Sequence, residues 1–130
     1  MRLTTPALIL ALTAGAAAAK TPLRDVPEID NQMFSVAMAI EISDNCANIK
    51  PRTVKGVAFL FELAAKAKSM GYTTAEIDDY RKSDAEKARM RAKGEAYMRD
   101  KGLDPANPAD LCKLGQMEIA ANSQIGSFLR

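Results

Sequence analysis

Residues 28–46 read EIDNQMFSVAMAIEISDNC, and this stretch decides the fold. Apolar side chains recur in it every three or four residues, at Ile29, Met33, Val36 and Ile40. That spacing is typical of one face of an α-helix. Acidic side chains at the start of the stretch also favour a helix N-terminus. We therefore predict a first helix that covers this stretch.

A second helix is predicted from Pro51, a first-turn proline, to Met70, with Gly71 as its left-handed cap. Its centre, residues 57–65, is apolar on nearly every face. Because a helix of this kind is usually surrounded by other helices, we expect it to be central in the core. A membrane span is the alternative, but the charged side chains along the helix argue against it.

Three further helices are predicted from their start signals. Capping boxes at residues 73–76 and 83–86 open a short third helix and a long fourth helix. Asn107 as the cap and Pro108 as the first helical residue open a fifth helix, whose apolar stripe continues to Phe128. No segment alternates apolar and polar residues as an exposed strand would.

The N-terminal residues 1–19 have the layout of a secretory signal peptide. Arg2 gives a positive start, residues 7–12 form an apolar run, and residues 17–19 are small. The apolar run is too short for a permanent membrane span, which needs roughly 20 residues. We expect an exported, periplasmic protein that has no transmembrane segment after cleavage.

The rest of the chain is predicted to contain two parts. Residues 20–27 include Pro22 and Pro27 and are expected to form an extended N-terminal arm. Residues 28–130 are expected to form an all-α domain, a single small domain of about five helices with one disulfide staple.

The disulfide is predicted between Cys46 and Cys112, the two cysteines of the sequence. An even cysteine count in an exported protein indicates a structural disulfide. A thiolate metal site or a redox pair is the alternative, but the chain lacks histidine and Cys-x-x-Cys spacing. Closing a loop of this length contributes roughly 4 kcal/mol in the chain-entropy model.

The composition argues against several classes of function. Absence of histidine removes the usual general base and the commonest transition-metal ligand. The net charge of +2 falls to +1 without Arg2, which gives no reason to expect nucleic acid as a partner. No cofactor motif is present, so no cofactor is expected.

The most basic stretch, residues 81–101, holds eight basic and four acidic side chains. One interpretation is an interaction face for phosphate, acidic lipid headgroups or an acidic protein. The alternative is a solvated helix with pairs between neighbouring turns. The residues of the candidate face are Arg81, Lys82, Lys87, Arg89, Arg91 and Lys93.

Two other patterns on the third and fourth helices are weaker candidates. Alanines recur at helical spacing from Ala85 to Ala96 and are expected to pack against another helix inside the protein, with a docking surface for a partner as the alternative. Glu76, Asp78, Asp79 and Asp84 are close in sequence and could support carboxylate chemistry. Adjacent positions on a helix point in different directions, however, and the spacing does not match a calcium loop.

Three segments of the chain resemble a family of small exported alphaproteobacterial proteins of unknown function. They are residues 22–30, residues 83–97, and the sequence Cys112-x-Leu114-Gly115 with residues 118–120 and 123–126. The resemblance implies a periplasmic location in an envelope with two membranes. It implies no activity, ligand or catalytic residue.

Three functions therefore remain open. The leading hypothesis is a non-catalytic periplasmic interaction or accessory protein whose partner is another envelope protein. The second is a carrier of a small apolar, lipid-like ligand, in which the methionines adapt to the ligand. The third is a small enzyme that uses carboxylates.

Overall fold

The fold is all-helical in a computed structural model that describes residues 19–130. The predicted signal peptide, residues 1–19, lies outside the described residues except for Ala19. The helices are α1 (Pro27–Asn45), α2 (Thr53–Ser69), α3 (Thr74–Lys82), α4 (Asp84–Asp100) and α5 (Pro108–Ala120), with 3₁₀ turns at Leu23–Asp25 and Gly126–Phe128. The described residues contain no strand, only an isolated antiparallel bridge between Pro51 and Leu129. The predicted all-α domain is confirmed.

Helix α1 is at the centre of the fold, because it contacts α2, α4 and α5. Its Ile42 and the Leu114 side chain of α5 are fully buried. Gly115 brings these two helices together: a Cβ there would lie 2.6 Å from side-chain carbons of Ile42 and Ile49. The core therefore forms where α5 packs closely on the second half of α1.

The predicted disulfide is confirmed at this packed end. Cys46 follows α1 and Cys112 lies in the first turns of α5, with their Cα atoms 5.5 Å apart. The bond joins residues 66 positions apart in sequence, and the loop that it closes contains all of α2, α3 and α4.

The N-terminal arm differs from the extended segment predicted for residues 20–27. Leu23–Asp25 forms a 3₁₀ turn, and Pro27 is already the first residue of α1. Leu23 and Val26 are buried with Leu63 of α2. Proline is favoured at the first helical position, and burying the two apolar side chains folds the arm onto the domain.

Helix α2 is peripheral, so the prediction of a central second helix is wrong. Of its side chains only Leu63 and Ala67 are buried, whereas Val54 is 86% exposed and Phe61 is 75% exposed. Pro51 lies outside the helix and in the bridge to Leu129, although Gly71 has the predicted left-handed conformation (φ 96°). An all-apolar helix is buried only where neighbours cover it, and α2 has neighbours on one side.

The alanine stripe of α4 is also placed differently from the prediction. Ala85, Ala88, Ala92 and Ala96 are all exposed. The buried face of α4 consists instead of Glu86, Met90, Gly94 and Met98. A Cβ at Gly94 would lie 2.6 Å from Met38 Sδ, so this glycine admits the Met38 side chain of α1. Close approach therefore uses Gly94 rather than the alanines.

Helix α5 ends at Ala120, earlier than the predicted stripe to Phe128. Asn122 adopts a left-handed conformation (φ 49°), and the chain turns there. Gly126 then packs on the end of α5, where a Cβ would lie 2.0 Å from the carbonyl oxygen of Glu118. Phe128 and Leu129 are buried, so this segment belongs to the core.

Among residues 19–130, no helix combines the length and the apolar character that are needed to span a membrane.

Candidate functional site

The charges of α4 converge on Asp30, a carboxylate of α1 that is only 4% exposed. Arg89 donates to it from the two terminal guanidinium nitrogens, Nη2 at 2.5 Å and Nη1 at 3.2 Å, and Lys93 Nζ lies at 3.2 Å. The Tyr80 hydroxyl of α3 donates to Asp30 Oδ1 at 2.7 Å. One carboxylate thus joins three helices through charged and neutral donors.

We call Asp30, Arg89, Lys93 and Tyr80 the ionic cluster, and Glu86 extends it towards the N-terminal arm. Its carboxylate accepts from Arg89 Nε at 2.8 Å and pairs with the Arg24 guanidinium. The Ser83 hydroxyl accepts a hydrogen bond from the backbone N–H of Glu86. This is one of the two hydrogen bonds of the predicted capping box. The carboxylate of Glu86 is used for tertiary pairing.

The ionic cluster holds its charges fixed. Burial would raise the pKa of Asp30, but the hydrogen bonds from Arg89, Tyr80 and Lys93 outweigh burial and lower it. Burial, together with the hydrogen bond to Asp30, raises the pKa of Tyr80, while the hydrogen bonds to Asp30 raise the pKa of Arg89. These directions keep Asp30 ionised and Tyr80 protonated near neutral pH, so the cluster is suited to joining helices rather than to proton transfer.

A second polar cluster lies between α4 and the end of α5. Glu118 is 3% exposed, and its carboxylate accepts from the Tyr97 hydroxyl at 2.5 Å and from the Ser123 hydroxyl. The Ser123 oxygen accepts from the Gly126 N–H at 3.0 Å, which fixes the turn after α5. Burial, then the hydrogen bond to Glu118, raises the pKa of Tyr97. These groups stabilise the chain reversal.

A half-open groove of about 400 Å³ runs between α1 and α4, beside the ionic cluster. Its floor is mainly apolar and includes Met33 and Met38 of α1 and Met90 and Met98 of α4. Ile40, which is 52% exposed, also lines it. The sequence singled out the methionines but gave no indication that they would meet along one groove.

The structure divides the predicted basic face into three parts. Arg81 and Lys82 pair with Asp78 on their own helix. Arg89 and Lys93 turn to Asp30 and belong to the ionic cluster. The remaining two side chains, Lys87 and Arg91, line the groove and form no ion pair with any described residue.

The four carboxylates considered for enzymatic chemistry have separate environments. Glu76 accepts from the Thr73 N–H in a complete capping box and pairs with Lys20 at 3.0 Å. The Thr73 hydrogen bond, with Lys20, lowers the pKa of Glu76, and Arg81 lowers the pKa of Asp78. Asp79 and Asp84 are exposed. Within residues 19–130 no group of three or more acidic or cysteine side chains is arranged to hold a metal ion.

The outer face of α2 is the surface that sequence reasoning missed. Val54, Val57 and Phe61 lie on it and are exposed, as are the smaller Ala58 and Ala65. The apolar pattern predicted a helix with neighbours on every side, so the pattern alone could not indicate an exposed face.

The chain matches the family described as "Family of unknown function (DUF5333)" over residues 21–130, and it belongs to that family. The comparison with curated proteins found no match. The comparison with solved structures found no match either.

Proposed function

We propose that this member of the DUF5333 family is a non-catalytic interaction protein of the periplasm that binds another envelope protein in the groove between α1 and α4. The observation that carries the proposal is the pair Lys87 and Arg91, which line the groove without an ion-pair partner among the described residues. The occupant in this proposal is an amphipathic helix with acidic side chains.

The apolar floor supports a helical occupant. Between Lys87 and Met98 the groove follows α4 for about 16 Å, which is about three helical turns. A helix of that length could lay its apolar face on the floor, as helix-in-groove complexes do. Methionine side chains are flexible and polarisable, so they adapt to the shape of such a face.

The charges along the groove support an orientation for that helix. Lys87 and Arg91 lie in the first half of α4, where Glu86 is already paired with Arg24 and Arg89, whereas Glu95 lies in its second half. Acidic side chains of the occupant would therefore be favoured beside Lys87 and Arg91. Complementary rim charges raise the association rate and favour one orientation over its reverse.

The periplasmic part of the proposal has two supports. Residues 1–19 are predicted to be a signal peptide, and Cys46 and Cys112 form a disulfide. Disulfides form and persist mainly in oxidising compartments, which include the bacterial periplasm.

The test is photo-crosslinking from the groove in intact cell envelopes. A photoreactive amino acid replaces Ile40, and mass spectrometry identifies the crosslinked protein and the crosslinked peptide. The expected result is one protein, crosslinked through a segment that forms an amphipathic helix with acidic residues. In the variant Lys87→Glu/Arg91→Glu, the crosslink yield is expected to fall by about tenfold, because rim charges influence association.

A matched control reverses two charges elsewhere. Lys50 and Lys113 are exposed and form no ion pair with any described residue, so Lys50→Glu/Lys113→Glu makes the same change in net charge. This control should keep the crosslink. Equal yields from the two double variants would contradict the proposal, because the groove charges would then have no specific role.

The alternative is a carrier of a small apolar, lipid-like ligand in the same groove. The groove volume of about 400 Å³ favours it, since ligand sites are typically about 300 to 1,000 Å³. Native mass spectrometry of protein purified from the envelope tests this alternative. A bound amphiphile that is lost in a Met38→Glu variant would support the carrier, and a ligand-free mass would remove it.

A further inference from the structure

The outer face of α2 carries an apolar stripe from Val54 to Ala65, followed by the exposed Lys68, on a helix that has neighbours on only one side. Val54, Val57 and Phe61 are its large side chains, and alanines fill the space between them. Val54, Ala58, Phe61 and Ala65 are three or four residues apart and Val57 lies beside them, so the set lies along one face for about three turns. Exposed apolar stripes of this kind mark interaction sites.

Three charges, those of Lys55, Glu62 and Lys66, lie along one edge of this stripe, and Lys66 pairs with Glu28 at 3.6 Å. Lys55 and Glu62 are seven residues apart, which is nearly two full turns, so they share an edge about 10 Å apart. That separation is too large for an ion pair between them. Neither forms an ion pair with any residue in the described part of the chain, although Lys55 Nζ lies 5.9 Å from the centre of the Phe128 ring.

We infer that the outer face of α2 binds the same face of a second copy of this chain, with the two helices antiparallel. A two-fold axis at the level of Ala58 and Phe59 places the charged edge of one α2 beside the charged edge of the other. The two helices run in opposite directions along these edges. Lys55 of each copy then lies opposite Glu62 of the other. The charge pattern of a single helix thus makes two ion pairs across the axis.

The side-chain sizes agree with this arrangement. At the axis Ala58 is small, so the two helices can approach closely. The same symmetry places Phe61 of one copy beside Val54 and Val57 of the other, which covers the most exposed aromatic ring of α2. The apolar contact and the ion pairs therefore require the same register.

The dimer should be weak, because α2 alone provides a small interface. Seventeen helical residues span about 25 Å, and stable interfaces bury about 800 Å² on each side. We therefore expect dimerisation to be detectable only at high protein concentration. This surface lies on α2, whereas Lys87 and Arg91 lie on α4, so the inference does not rest on the proposed function of the groove.

The test is sedimentation equilibrium of the oxidised protein and of three charge variants. Lys55→Glu and Glu62→Lys each place like charges opposite one another twice, and each should weaken dimerisation by about tenfold or more. Lys55→Glu/Glu62→Lys restores both pairs and should return to within about threefold of the unaltered protein. A monomer at millimolar concentration, or a double variant as weak as the single variants, would overturn the inference.

Crosslinking through the axis gives a second measurement that does not depend on charge. Ala58→Cys should form a covalent dimer on mild oxidation, whereas Ala88→Cys on the exposed face of α4 should not. Equal crosslinking at the two positions would count against the axis. Monomeric protein that binds vesicles of anionic phospholipid and loses this binding on Phe61→Ser would also overturn the inference, because the occupant would then be a lipid surface.

Discussion

Helices α2 and α4 have the same length, 17 residues, and opposite surfaces. Helix α2 is rich in apolar residues yet buries only Leu63 and Ala67, whereas the strongly charged α4 buries Glu86, Met90, Gly94 and Met98. The difference teaches that neighbours, rather than composition, decide which side of a helix is covered. Partners for the charges make the burial of α4 tolerable.

The largest effect on stability is expected from removing the disulfide. Because α2 and α4 both lie in the loop that it closes, this change also tests whether the two helices unfold together. Cys46→Ser/Cys112→Ser should lower the free energy of unfolding by about 4 kcal/mol. Urea denaturation followed by circular dichroism measures the loss. Two separate transitions, or a loss below about 1 kcal/mol, would contradict one cooperative unit stabilised by this bond.

The next effect tests the α4 side of the comparison. Asp30→Asn removes the carboxylate that Arg89 and Lys93 share, and we expect a loss on the order of 3 kcal/mol, because removal leaves a partly buried cation pair without its partner. Asp44→Asn on the same helix is the control, since Asp44 is exposed. Equal unfolding free energies for the two variants would show that the ionic cluster contributes nothing.

The dependence on pH sharpens that test. The pKa of Asp30 is lower in the folded protein than its ordinary value of about 3.9, so its contribution is complete above that value and is lost as the pH falls below it. The difference in unfolding free energy between the unaltered protein and Asp30→Asn should therefore shrink progressively below about pH 4. A difference that stays constant from pH 7 to pH 2.5 would contradict this assignment.

Two substitutions within one turn of α2 compare the contribution of a buried apolar side chain with that of an exposed one. Leu63→Ala removes a buried side chain and should lower the free energy of unfolding by about 2 to 3 kcal/mol. Phe61→Ala removes a larger side chain but an exposed one, so its effect should stay within about 0.5 kcal/mol. Denaturation at low protein concentration keeps self-association out of the comparison. A reversed order would mean that the outer face of α2 is covered within the monomer.

The smallest effect concerns one hydrogen bond of the ionic cluster. Tyr80→Phe removes the donor to Asp30 Oδ1 and should cost about 1 kcal/mol, since Arg89 and Lys93 still satisfy the carboxylate. Combining it with Asp30→Asn in a double-mutant cycle measures the coupling between the two groups. Additive losses would show that Tyr80 acts independently of Asp30.

Local signals predicted much of the fold correctly. The Thr73 capping box forms both of its hydrogen bonds, Asn107 caps α5 and Pro108 begins it, and Gly71 takes the left-handed conformation. Each of these features depends on residues within a few positions of one another, and such interactions can be recognised in a single sequence.

Features that depend on distant residues were not predictable in the same way. Glu86 lies in a capping pattern, but its carboxylate pairs with Arg24, 62 positions earlier. Asp30 suits a helix start, but its main partner Arg89 lies 59 positions later. The groove and the exposed face of α2 likewise depend on where neighbouring helices lie. No spacing rule in one sequence indicates which charges will meet or which apolar face will lack a neighbour.

The disulfide has a mechanical consequence. Tension applied at the two ends of the described chain passes from α1 to α5 through the bond between Cys46 and Cys112, which are 66 positions apart, and the ring that holds α2, α3 and α4 carries none of the load. An extended chain of that length measures about 220 Å. A single oxidised molecule stretched to its full length therefore stops about 220 Å short of the reduced one, with the ring as its force-shielded part.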